Sequence, residues 1–420
     1  MLSFLLHFHP KKINPAALKF TRTFGLGGMA VLLFVLEALT GILLRFYYIP
    51  TTFEAYQSIV NLNSQVLFGQ FIRNIHYWGS ILLILTTFLH FLRVFFTSAY
   101  RDARAFNWII GLLMLVTVFM FNFSGYLLPW DQLAYWAVTV VTNILLYIPW
   151  VGESFYELII GGKELNSNTL HTFFAFHTAL LPFVLLLLLF YHIWKVRKAG
   201  GIILEEQNQK SEKVDVMPHL VHKEGIVALV IVALLFVLAL IFDAPLLEKA
   251  NPTGSINPVK APWYFAGLQE LLLHFDPIFA AILIPMGILL FLVWIPYFNY
   301  DKEPTGKWFL SEKGKNTTLQ TAIFSFILTI LGILLSPGFV RFEKLLPGFP
   351  GYLSNGLIPI TIMVGLVWLF FKYRLHSSKL LKEEKIQAIF VFILVAFVIL
   401  TLTGIFFRGK NMELMMPWNI

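Results

Sequence analysis

Nine apolar runs recur along this chain of 420 residues, at roughly 25–48, 75–97, 106–128, 172–195, 224–243, 276–298, 318–336, 356–373 and 386–407. A run of about 20 apolar residues matches the hydrocarbon thickness of a bilayer. In lipid such a segment must satisfy every backbone N–H and C=O internally, so it crosses as a helix. The fold class this predicts is all-α, a polytopic membrane bundle of about nine transmembrane helices. Composition agrees: 58% of residues are hydrophobic and 13% are charged, where a soluble chain averages about 25% charged.

The net charge of +8 does not point to nucleic acid, because most basic residues gather in alternate connections. Lys11, Lys12, Lys19 and Arg22 precede span 1, and Arg101 and Arg104 separate spans 2 and 3. Lys195, Arg197, Lys198, Lys210 and Lys213 lie between spans 4 and 5, and Lys302, Lys307, Lys313 and Lys315 between 6 and 7. Lys372, Arg374, Lys379, Lys382 and Lys385 lie between 8 and 9. The opposite loop after span 3 holds Asp131, Glu153, Glu157 and Glu164 against one Lys163; Arg341 and Lys344, between spans 7 and 8, run against the pattern. By the positive-inside rule the N-terminus is cytoplasmic and the C-terminus external. The first span has no small-residue cleavage pattern and reads as retained rather than as a signal peptide.

Histidines inside such spans are costly and face the bundle interior. His76 and His90 lie 14 residues apart in span 2, and His177 and His192 lie 15 apart in span 4. Both spacings give roughly 21 Å of helical rise and nearly whole turns, so each pair points to one face. Spans 2 and 4 run in the same direction by the topology, which matches His76 with His177 outside and His90 with His192 inside. Two stacked His–His pairs are the geometry for two bis-histidine haems in series. The chain has no cysteine, so thiolate sites, iron–sulfur clusters and thioether-linked haem are excluded, and any haem is held non-covalently. His171 lies 21 residues before His192, too far to match span 2.

Gly27 and Gly41 in span 1, and Gly111 and Gly125 in span 3, repeat the 14-residue period. Glycine lets a flat macrocycle approach a helix closely; the competing reading is small-residue helix packing. Arg73 and Arg93 each lie one turn from a histidine, placed either to pair with a propionate or to snorkel to the interface. Glu37, four residues before Gly41, is either a functional intramembrane carboxyl or a hydrogen-bond partner between helices.

These residues resemble the cytochrome b subunit of the cytochrome bc, or Rieske–cytochrome b, family. The resemblance covers spans 1 to 8. It rests on the histidine and glycine spacings, Arg73-Asn-Ile-His76, Gly125-Tyr-Leu-Leu-Pro-Trp130, and Phe174-Ala-Phe-His177 with Pro182. The 15-residue second spacing, Leu128-Pro-Trp-Asp-Gln and Arg197 are closer to the chloroplast-type branch, although front and back halves are fused here. Span 9 lies outside the family's usual eight.

The resemblance implies two b haems, on His76/His177 and His90/His192, with a quinol site outside and a quinone site inside. It also implies a homodimeric complex, in a bacterial inner membrane, with a Rieske iron–sulfur protein or a c-type cytochrome as partner. The family's outer-site motif is Pro-Glu-Trp-Tyr; here it is Ala261-Pro262-Trp263-Tyr264. Proline cannot take the proton the glutamate takes. Glu270 is either a displaced acceptor or an interfacial carboxylate. For the inner site the candidates are Arg197, His219, His222, Lys223 and Glu224, the alternative for the last two being an ordinary charged helix start. The domains expected are 1–200, a four-helix dihaem front half; 201–375, a back half with the quinol loop; and 376–420, an extra helix.

The function expected is electron transfer from quinol through two haems to quinone, coupled to proton translocation. The second class is a dihaem anchor relaying electrons between the quinone pool and a peripheral dehydrogenase or reductase. A haem-free transporter is disfavoured by the four histidines and by the lack of matching Gly/Pro-broken spans.

Overall fold

The computed structural model describes residues 11–203, 212–300, 305–335, 342–376 and 380–419. Lys210, Lys302, Arg341 and Lys379 of the basic connections lie outside them. Among the described residues nine helices are long and apolar enough to cross a membrane. They are Leu26–Arg45, Gly69–Phe96, Asp102–Leu127, Ser167–Lys198, Val216–Ile241, Ile278–Tyr297, Glu312–Leu335, Leu353–Arg374 and Lys382–Phe406, numbered spans 1 to 9 below. Several extend a turn or more past the apolar runs, because polar end-turns continue the helix beyond the hydrocarbon. Span 4 shows why: the Asn166 side chain accepts from the Asn168 N–H at 2.7 Å, and the Asn166 N–H donates to Thr169 Oγ1 at 3.1 Å. This capping box starts the helix well before His177.

Three spans contain a π-helical turn, at Phe176–Leu180, Ile278–Leu283 and Leu353–Leu357. Each ends two residues before a proline: Pro182, Pro285 and Pro359. A proline has no N–H to return to the preceding turn, so the backbone widens there. In span 4 the widened turn begins beside His177 and takes up one extra residue.

The chain forms two compact units: Met1–Val138 with Glu157–Asn251 and Pro304–Trp308, and Thr139–Tyr156 with Pro252–Glu303 and Phe309–Ile420. In the first, span 1 packs along span 2, and span 3 against spans 2 and 4. Span 5 also belongs here, packed on span 2, although the sequence reading groups it with the back half. Polar groups at the start of span 2 explain this. Asn74 Nδ2 donates to Ala239 O at 2.9 Å, Asn74 Oδ1 accepts from Ala244 N, and Trp78 Nε1 donates to Phe242 O. Asp131 ties together the two long loops of this unit, accepting from Ala134 N with one oxygen and from Leu247 N with the other. At the other end Lys12–Ile13 pairs antiparallel with Val214–Asp215.

In the second unit span 9 packs on span 7 and on the loop helix Trp263–His274. Ser325 Oγ of span 7 donates to Phe392 O of span 9 at 2.7 Å, and Ser311 Oγ to Glu384 Oε1 at 2.5 Å. Small residues let span 9 and the loop helix touch. A Cβ on Gly404 would lie 2.8 Å from Ala266 O, and one on Gly267 2.7 Å from Thr401 Oγ1.

Candidate functional site

Within the first unit, spans 2 and 4 bring their histidines together in two pairs. The ring centroids of His76 and His177 are 6.1 Å apart with planes at 78°. Those of His90 and His192 are 6.4 Å apart at 75°. Two helices can form both pairs only when they run in the same direction. The 15-residue spacing in span 4 matches the 14 of span 2 because the π turn at Phe176–Leu180 absorbs the odd residue. His171, outside this register, is exposed.

Each glycine of the repeated period faces one histidine. A Cβ on Gly27 would lie 3.4 Å from His90 Cε1, on Gly41 3.2 Å from His76 Cε1, and on Gly111 3.6 Å from His192 Cε1. On Gly125 it would collide with His177 Cε1 at 2.6 Å. Gly125→Ala is therefore expected to push His177 out of line with His76 and weaken the hold on any metal cofactor the pair would share. The optical spectrum of the purified chain, compared with wild type, checks it.

Second-row hydroxyls orient the His76/His177 pair. Thr40 Oγ1 donates to Leu36 O at 2.8 Å and lies 2.9 Å from His76 Nδ1. Ser124 Oγ donates to Phe121 O at 3.1 Å and lies 3.1 Å from His177 Nδ1. Each hydroxyl has spent its proton on a carbonyl, so the imidazole Nδ1–H donates to it. The tautomer assigned by this network leaves the Nε2 lone pairs free to bind a metal. Glu37 Oε2 lies 3.1 Å from the same His76 Nδ1, and Oε1 faces Gly79.

Two imidazoles sharing a metal, each nitrogen about 2 Å from it, put their centroids roughly 6–6.5 Å apart. Both pairs fit. Among the described residues no group of three or more His, Cys, Asp or Glu could hold a bare ion. Paired histidines facing glycines thus suit a metal that brings its own planar ligands.

The arginines have backbone partners. Arg73, buried, donates from Nη1 to Ala244 O at 2.9 Å and from Nη2 to Pro245 O at 2.6 Å. Arg93, also buried, donates from Nε to Arg22 O at 3.1 Å. Both tie span 2 to neighbouring segments. Arg197 is exposed on the last turn of span 4, and His219, His222, Lys223 and Glu224 are exposed on the first turns of span 5. Lys223 Nζ donates to Leu18 O at 2.9 Å, holding the N-terminal segment there.

In the second unit Pro262 precedes the loop helix, Trp263 is partly exposed and Tyr264 is buried. Gln269 braces the loop ahead of it, accepting from Ala261 N at 2.8 Å and donating to Val259 O at 2.7 Å. Glu270 is fully buried and both its oxygens are occupied. Arg408 Nε donates to Oε2 at 2.9 Å, Arg408 Nη2 pairs with Oε1, and His274 Nε2 lies 2.9 Å from Oε1. Burial alone would raise this carboxyl, but the hydrogen bonds from His274 and Arg408 and the Arg408 charge hold it below its ordinary value. A carboxylate held this way is a poor proton acceptor. Sequence reasoning missed His274 and Arg408. The Glu270/His274 spacing of four was a visible signal; nothing local marks Arg408, 138 residues away.

The family model for cytochrome b/b6/petB matches residues 12–200. Cytochrome b6 of Prochlorococcus marinus (strain MIT 9303) is 39% identical over 175 residues, 42% of this chain and 80% of that protein. Cytochrome b6 of Acaryochloris marina (strain MBIC 11017) is 38% identical over 175 residues, covering 42% of this chain and 81% of that protein. A solved chain of a hyperthermophilic respiratory Complex III aligns with TM-score 0.67 over 88% of this chain and 94% of its own, at 23% identity, a likeness of fold. The chain belongs to the cytochrome b/b6 family, the membrane-embedded electron-transfer subunits of bc-type complexes.

Proposed function

We infer that this chain is the dihaem subunit through which a bc-type complex moves electrons from quinol on one side of the membrane to quinone on the other, coupled to proton translocation. The observation that carries the reading is the doubled His–His pair, each histidine facing its own glycine. His76 with His177, and His90 with His192, would hold the two irons by Nε2. Haem iron supplies a one-electron carrier whose potential the axial ligands and their hydrogen bonds tune. Thr40 and Ser124 fix the ring tautomers, and Gly27, Gly41, Gly111 and Gly125 keep the faces open.

The quinol site is read on the Pro262-Trp263-Tyr264 loop, with the first electron leaving to an iron–sulfur or c-type cytochrome partner. Arg197, Lys223 and Glu224 are read as the polar groups of the quinone site, which charges reduced quinone with protons from the basic side. The positive-inside pattern supports an N-terminus in the cytoplasm. Pyridine haemochrome analysis of the purified chain is expected to give two b-type haems per polypeptide; one or none defeats the reading.

A further inference from the structure

The family's quinol motif carries a carboxyl that takes the substrate proton, and here proline stands in its place. The structure supplies another base on the same helix. Glu270 and His274 follow Trp263 by 7 and 11 residues, within about 20° of two and three whole helical turns. All three therefore share one stripe of the loop helix.

His274 is buried, 7% exposed. Its Nε2 lies 2.9 Å from Glu270 Oε1. An ionised carboxylate only accepts hydrogen bonds, so Nε2 carries the proton and Nδ1 the lone pair. The Arg408 guanidinium, 3.5 Å from that Nε2, cannot donate to a nitrogen already protonated. Nδ1 is buried and has no hydrogen-bond partner. A buried acceptor left unmatched is unfavourable, and such groups call for a functional explanation. An incoming hydroxyl is the donor it lacks.

Span 9 and the segment after it organise this arrangement. Arg408 engages both oxygens of Glu270 and donates from Nη1 to Met412 O at 3.0 Å. Lys260, just ahead of the motif, donates to Ile405 O at 3.0 Å. Asn257 and Asn411 exchange two hydrogen bonds of 2.6 Å. The end of span 9 and the segment after it thus clasp the motif loop and its helix at three points. Glu270 on its own helix and Arg408 from the segment after span 9 both face His274 Nε2. Asp276, two residues on, turns its carboxylate to the Ile278 N–H at 3.1 Å.

We propose that His274 is the proton acceptor of the quinol site, with Glu270 and Arg408 as its positioning residues. This rests on the quinol reading above. The quinol O–H bond breaks and an Nδ1–H bond forms. The ring's other proton stays on Nε2, donated to the Glu270 carboxylate, which remains ionised and stabilises the imidazolium as the orienting carboxylate of a catalytic triad does. One electron leaves with the quinol proton, to the iron–sulfur or c-type cytochrome partner named above, so the step removes one proton and one electron from the quinol.

The test uses the purified complex, with short-chain benzoquinol and naphthoquinol as donors and haem absorbance as readout across pH. In His274→Gln the amide nitrogen can still donate to Glu270, but the Nδ1 base is gone. Quinol-driven reduction is expected to fall on the order of 10²-fold and the acidic limb of the pH profile to vanish, with dithionite-reducible haem unchanged. A variant that keeps the wild-type rate and limb overturns the assignment of His274. Should His274→Gln lose haem, Glu270→Gln decides. Without its carboxylate the ring is no longer held with Nδ1 as the free base, so quinol-driven reduction is expected to fall about tenfold with dithionite-reducible haem unchanged; an unchanged rate overturns the proposal. A wild-type complex whose haems respond to dithionite but to neither quinol defeats the quinol reading itself.

Discussion

His192→Leu is expected to leave the purified chain with one haem instead of two, the survivor at the His76/His177 pair. The His90 and His192 centroids lie 6.4 Å apart, so leucine removes one of the two nitrogens the proposed iron needs. The other pair lies roughly 21 Å away along the helices, well beyond the distance at which substitutions couple. Its own supports, Thr40, Ser124, Gly41 and Gly125, are untouched. Redox titration of the b-band is expected to show a single component in place of two. Retention of both components refutes the pairing of His90 with His192.

Arg408→Met is expected to destabilise the second unit by about 3–5 kcal/mol, because it leaves the fully buried Glu270 carboxylate without its guanidinium. The double change Glu270→Met with Arg408→Met is expected to recover most of that loss, since it buries no charge. Thermal unfolding of the detergent-solubilised complex checks both. The sign of the pH dependence follows from Glu270. Burial would raise its carboxyl, but His274 and Arg408 hold it below its ordinary value. Its contribution is therefore complete above the ordinary carboxylate range of about 4 and is lost as pH falls below it through the folded value. Wild type should lose thermal stability over that acid window, and the double variant should lose less. Equal acid sensitivity of the two proteins argues against the pair as the source.

Much of the first unit was legible because helices repeat. A 14-residue period sets depth and facing, so spacing together with the loop-charge topology matched His76 with His177 and His90 with His192; which glycine faces which histidine came only from the structure. The mismatch of one residue in span 4 was not legible. It is resolved by a π turn that depends on the backbone accommodating Pro182. Arg73 and Arg93 could be placed one turn from the histidines, but their carbonyl partners come from segments far away in sequence. Span 5 was assigned to the back half at a polar linker; contacts from Asn74 and Trp78 draw it into the first unit.

The sequence by itself determined that this chain is a nine-span membrane bundle with histidines at two depths. Hydrocarbon permits only helices there, and helical period turns spacing into geometry. The tertiary structure alone decided what Glu270 does and gave span 9 a role. Arg408 reaches Glu270 across 138 residues of chain. No local propensity or period encodes a contact of that separation, because it exists only once packed helices bring the two ends together.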